Sequence, residues 1–179
     1  APLVLFLSNT LVHDYMDENE IRQGLLAAGY MLLEPHYSFS EHSWDNSMEM
    51  LGLLPYGFSA QGLYLWQTRR ILTAYLREFG PINQPIYVYG NEGLSLTALY
   101  LGIVDARIEA VATGLVWPLY EAGYRPNPAW FHPANAFLAQ AWLGPQEEVL
   151  NLMPEDKLLI LDREGITAQK VISFFESAH

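Results

Sequence analysis

A few acids and histidines in this chain could do chemistry if the fold brought them together. Glu92 sits in Gly90-Asn91-Glu92-Gly93, between the apolar run Ile86-Tyr87-Val88-Tyr89 and the helical pattern Leu94-Ser95-Leu96-Thr97-Ala98-Leu99-Tyr100. A strand, a sharp glycine-flanked turn and a helix expose the side chain at the tip of the turn, which is one way a fold presents a nucleophile. Asp162 and Glu164 follow a second apolar run, Leu158 to Leu161. His13 follows the run Leu3 to Leu7, and His36 follows Tyr30 to Leu33. A nucleophile, a histidine to take its proton and an acid to orient that histidine would make an acyl-transfer site.

Other chemistries draw on the same stretches. His13, Asp14 and Asp17 form one cluster, and His36, Glu41, His42 and Asp45 form another. A divalent metal held by His36, His42 and an acid is chemically reasonable. The spacing matches no compact zinc signature, so no metal is expected. The turn at Gly90 could offer helix N–H groups to a phosphate, but the Glu92 carboxylate would occupy the anion position itself. There is no G-x-G-x-x-G and no Walker lysine, so no nucleotide cofactor is expected. Glu92 also has a structural reading. A carboxylate at a helix N-terminus is stabilised by ~0.3–1 kcal/mol through the macrodipole.

The elements that would position these residues alternate. Leu3 to Leu7, Tyr30 to Leu33, Ile86 to Tyr89 and Leu158 to Leu161 read as strands, and Ile108 to Ala112 as a weaker one interrupted by Glu109. None alternates cleanly between apolar and polar, as expected for strands covered on both faces of a parallel sheet. Helical patterns run from Asp17 to Ala28, closed by Gly29, from Gly62 to Phe79, closed by Gly80, from Leu94 to Ile103, and from Ile166 to Ser177. Two long connections break the rhythm. Ser38 to Ala60 is rich in Ser, Gly, Met and aromatics. Trp117 to Met153 carries Pro118, Pro126, Pro128, Pro133 and Pro145, with a short helix expected from Ala134 to Leu143. Long connections in compact domains are commonly binding loops or lids.

Composition narrows the classes. The 179 residues suit one domain with a sizeable core. Twenty acidic residues against nine basic ones give a net charge of −11. Such a chain is repelled by phosphate backbones, so nucleic acid is not an expected partner. There is no cysteine, which excludes disulfides, thiolate metal sites and cysteine nucleophiles. The opening run Leu3 to Leu7 is too short to span a membrane and lacks the basic flank of a signal peptide. It reads as a first strand, as in a domain cut from a longer polypeptide or a processed form.

Four stretches together resemble the α/β-hydrolase superfamily, in particular bacterial proteins similar to acetyl xylan esterases and dienelactone hydrolases. They are Ala27 to Tyr37, with its helix, Gly29-Tyr30, strand and Pro35-His36-Tyr37; Gly62 to Leu76, with Trp66, Arg69 and Arg70; Ile86 to Gly93; and Leu99 to Thr113, with Asp105-Ala106-Arg107-Ile108-Glu109-Ala110-Val111. The resemblance implies a serine nucleophile on the elbow, and here that position is Glu92. It implies a glycine two residues later, and here that position is Leu94. Ser95 falls inside the first turn of the helix. Asp162 and Glu164 stand where the resemblance places the triad acid. The triad histidine would follow one more strand, whereas this chain runs into a last helix and ends at His179. The loop Ser8 to His13, on the oxyanion side, lacks glycines.

The expectation is therefore an α/β three-layer sandwich around a five-stranded parallel sheet, a reduced hydrolase-like core. The strand at Tyr30 is expected at one edge, followed by those at Leu3, Ile86, Ile108 and Leu158. Serine-hydrolase catalysis is expected to be lost, leaving a binding or structural role toward a small molecule or a protein. The alternative is an esterase with an atypical site, using Glu92, Asp162 or Glu164 with His13 or His36. No cofactor is expected. An uncovered sheet edge would favour pairing with a second copy. Trp66, Arg69 and Arg70 are expected to be one buried aromatic and two solvated or ion-paired cations.

Overall fold

Short runs of aliphatic and aromatic residues, too short for stable helices and free of proline, form five strands (Leu3–Leu7, β1; Met31–Leu33, β2; Ile86–Gly90, β3; Ile108–Gly114, β4; Leu158–Leu161, β5). The helices are Met16–Ala27 (α1), Ala60–Phe79 (α2), Ser95–Val104 (α3), the single turn Gln146–Leu150 (α4) and Ala168–Ser177 (α5). The computed structural model describes residues 1–7, 16–37, 60–80, 83–91, 94–114, 146–161 and 166–178. The helix expected from Ala134 to Leu143 lies outside them.

The strands form one parallel sheet in the order β2-β1-β3-β4-β5, as the sequence led us to expect. Leu3 of β1 lies opposite both Met31 of β2 and Ile86 of β3. Chain order reverses at β1, so the crevice between the carboxyl ends of β1 and β3 is the topological switch point of a doubly wound sheet.

Side chains leave successive strand residues on opposite faces, and two cores result. Leu3, Leu5, Leu7, Ile86, Val88 and Val111 face α2 and α3, against Tyr64, Leu72, Leu94, Ala98 and Leu101. Val4, Phe6, Tyr87, Tyr89, Ala110 and Ala112 face α1 and α5, against Ile21, Leu25, Val171 and Phe175. This is why the strands read as unbroken apolar runs: both faces are dry. In β4 the alternation slips. The register shifts by one residue where Ile86 pairs with Ile108 and Tyr87 with Ala110. Glu109 is the extra residue of this irregularity, and it reaches Lys157 at 2.7 Å. The acid that weakened the strand pattern is thereby kept out of the core.

Helix ends follow local chemistry. Gly29 (φ 87°) and Gly80 (φ 86°) take the left-handed conformation after α1 and α2. The Thr167 side chain accepts from the Lys170 N–H and caps α5. A Cβ on Gly24 would overlap Ala168, so α1 and α5 cross at close range there. Among the described residues no helix is long and apolar enough to cross a membrane.

Candidate functional site

In a parallel sheet all the carboxyl ends lie along one edge, where doubly wound proteins bind ligands. At that edge β3 ends at Gly90, Asn91 follows, and α3 begins at Ser95 with Leu94 as its N-cap. Glycine at position 90 is required by the close approach of α3. A Cβ there would overlap the Ala98 methyl and stand 3.0 Å from the Leu94 carbonyl oxygen. The sequence draws attention to Leu94 as a missing glycine, but the close contact between strand and helix is made by Gly90 and Ala98. Leu94 is free to bury its side chain in the α2–α3 core.

A set of buried polar groups surrounds this turn. The Thr97 hydroxyl on α3 donates to Gln61 Oε1 at the start of α2, 2.6 Å away, with both residues buried. The Thr113 hydroxyl, at the end of β4, donates to the Ser95 carbonyl at 3.2 Å. A Cβ on Gly114 would stand 2.8 Å from Asn91 Oδ1, so glycine at 114 makes room for the Asn91 side chain. Asn91 is 4 % exposed and Ser95 is 0 % exposed. Asn91 Oδ1 and Ser95 Oγ are buried without a hydrogen-bond partner. The N-cap of α3 makes no side-chain capping bond. Buried polar atoms without partners are rare in folded proteins, and they concentrate where a water, an ion or a ligand completes the set.

The residues singled out for catalysis are placed as follows. Glu92, Asp162, Glu164 and His13 lie outside the described residues, as do Glu41, His42 and Asp45. In the sequence they follow β1, β2, β3 and β5. His36 is described and is exposed just beyond β2, while the next residue, Tyr37, is buried against Tyr64 with ring centroids 5.0 Å apart. The Tyr37 hydroxyl lies 2.7 Å from the Thr68 hydroxyl, and burial pushes its pKa well above the usual phenol value. Tyr37 is thereby a neutral, packed anchor. Among the described residues no group of three or more His, Asp or Glu side chains could hold a metal. Ser95 is enclosed in the first turn of α3, so an incoming substrate has no approach to its hydroxyl.

Sequence reasoning passed over Asn91, Gln61, Thr97 and Thr113. Only Asn91, beside Gly90, carried a local signal. Gln61 and Thr97 are distant in the chain, and each by itself looks like an ordinary helix residue.

Asp105 and Arg107, at the opposite end of α3, have a clear purpose. The Arg107 guanidinium donates to both Asp105 oxygens (Nε to Oδ1 2.8 Å, Nη2 to Oδ2 2.6 Å), and Arg69 Nε adds a bond to Oδ2 at 3.0 Å. The Arg107 hydrogen bonds, with help from Arg69, hold the Asp105 carboxyl down at about 2, against the opposing effect of burial. This knot ties α2, α3 and β4 together. It accounts for the Asp105-Ala106-Arg107 motif without catalysis. Comparison with protein-family models and with curated proteins returns no match to this chain.

Proposed function

We propose that this chain is an α/β-hydrolase-like domain that has lost serine-hydrolase catalysis and uses the carboxyl edge of its sheet to bind rather than to cleave. One observation carries this reading. Ser95, the hydroxyl nearest the elbow among the described residues, is 0 % exposed and lies within the helix rather than at the tip of the turn. A nucleophile has to meet a carbonyl carbon along an open path, and this hydroxyl has none. Glu92 takes the position that the resemblance assigns to serine. The five-stranded order and the strand–turn–helix support the hydrolase-like assignment. A doubly wound sheet alone hosts many activities.

The ligand side of this reading draws on Asn91 Oδ1 and Ser95 Oγ, both buried and unpartnered. An enclosed ordered water would complete Ser95 Oγ, and Asn91, at the carboxyl edge of the sheet, is the one of the two that a ligand's donor group would meet. Those same atoms favour the second reading, an esterase with an atypical site in which Glu92, Asp162 and His13 carry the reaction, because unsatisfied buried polar groups also mark catalytic centres.

One experiment separates the two readings. The chain and its Glu92→Gln variant are assayed against short-chain aryl and acetyl esters. The binding reading expects release of acid at the buffer rate from both. Turnover by the wild type that disappears in Glu92→Gln would overturn it in favour of the atypical esterase.

A further inference from the structure

The outer face of α2 stands apart from the rest of this acidic molecule. Trp66, Arg70, Thr73 and Arg77 recur at helical spacing, so they form one stripe about 16 Å long. The opposite face, Tyr64, Thr68 and Leu72, is buried. Trp66 is not the buried aromatic that the sequence suggests: it is 59 % exposed. The Arg70 guanidinium lies over the Trp66 ring, 5.6 Å from its centroid. Neither Arg70 nor Arg77 makes an ion pair with a described residue. Arg107 joins the stripe from the side, donating from Nη1 to the Thr73 hydroxyl at 2.9 Å, and Arg69 flanks it.

Of the nine basic residues in the chain, Arg69, Arg70, Arg77 and Arg107 gather here. Asp105 is buried beneath two of them and is fully engaged. Glu78 is the one acid of α2, and it follows Arg77 at the end of the helix. The result is a cationic band with an indole at one end, on a body of net charge −11. Tryptophan and arginine are the residues most enriched at the energetic centres of protein interfaces. A cation resting on an exposed indole holds the ring in place before binding and lowers the ordering cost.

We propose that this face docks an acidic polypeptide segment that places an apolar side chain on Trp66 and carboxylates on Arg70 and Arg77. Charge complementarity selects the acidic partner. The net charge of the whole body selects a short segment over an extended polyanion, because a nucleic acid or anionic membrane would bring dense negative charge against the acidic remainder.

The test uses the full chain and a fluorescein-labelled peptide of glutamate and leucine at helical spacing, with a lysine-for-glutamate counterpart as control. Anisotropy titration is expected to show saturable binding of the acidic peptide, weakened by added salt, and none of the lysine peptide. Arg70→Glu with Arg77→Glu is expected to weaken binding by about tenfold or more, and Trp66→Ala by a similar factor. Thermal midpoints should fall by no more than a few degrees, because these side chains are outside the core and Arg77, in the last turn of α2, meets only the helix dipole. Four results would overturn the proposal: no saturable binding, equal affinity in the variants, equal competition by a DNA oligonucleotide of matched charge, or a dimer in sedimentation that Trp66→Ala disperses.

Discussion

The two ends of α3 handle buried polarity in opposite ways. At its carboxyl end Asp105, an acid where the helix dipole disfavours one, is saturated by Arg69 and Arg107. At its amino end the N-cap is a leucine, and Ser95 Oγ and the neighbouring Asn91 Oδ1 have no partner. A satisfied buried charge is explained by the fold it braces. An unsatisfied buried group needs an explanation from outside the fold, and this difference locates the candidate site at the amino end.

The comparison can be broken most severely at the turn itself. Gly90→Val should destabilise the protein by about 3 kcal/mol, because its side chain must displace Ala98 and with it the start of α3. Urea unfolding measures this, and a near-neutral result would mean that α3 does not depend on that contact. At the other end, Asp105→Asn should cost about 1–2 kcal/mol at neutral pH, discounted because Arg69 and Arg107 are partly solvated and can rehydrate. The pH dependence has a definite sign. The folded Asp105 titrates at about 2, below its ordinary 3.8, so its stabilisation is complete above that ordinary value and is lost as pH falls toward 2. The Asn variant should show a flatter stability profile across that acid window.

Smaller effects sharpen the contrast within the amino end. Thr97→Val removes the 2.6 Å bond to Gln61 and should cost about 1 kcal/mol in the same unfolding assay. Ser95→Ala removes a buried hydroxyl that has no partner, so the change should stay within about 0.5 kcal/mol, on either side of zero. If Ser95→Ala destabilised the protein as much as Thr97→Val, the two ends of α3 would not differ in kind.

Much of the architecture was legible because it rests on local pattern. Leu3 to Leu7 and Leu158 to Leu161 are strands with the expected limits, and Gly29 and Gly80 close α1 and α2 through positive φ. The strand order could also be anticipated, since the chain offers alternating strands and helices and the resemblance noted in its sequence implies an order for them. The site was only partly legible. The Gly90 turn is legible because an apolar run, two glycines close together and a helical pattern follow one another in a single short stretch. Leu94 drew attention as a departure, yet the helix packs closely through Gly90 and Ala98. The sequence suggests a buried Trp66, whereas α2 turns it outward, opposite the buried face of Tyr64, Thr68 and Leu72.

The sequence by itself determined the periodicities, the helix stops, the acidity and the absence of cysteine, because each is a property of neighbouring residues or of composition. Only the tertiary structure decided that Gln61 meets Thr97, that Arg69 and Arg107 converge on Asp105, and that Asn91 Oδ1 and Ser95 Oγ are sealed without partners. Those outcomes depend on which residues far apart in the chain become neighbours. The packing of α2 and α3 onto the sheet sets that, through burial that no short window of sequence contains.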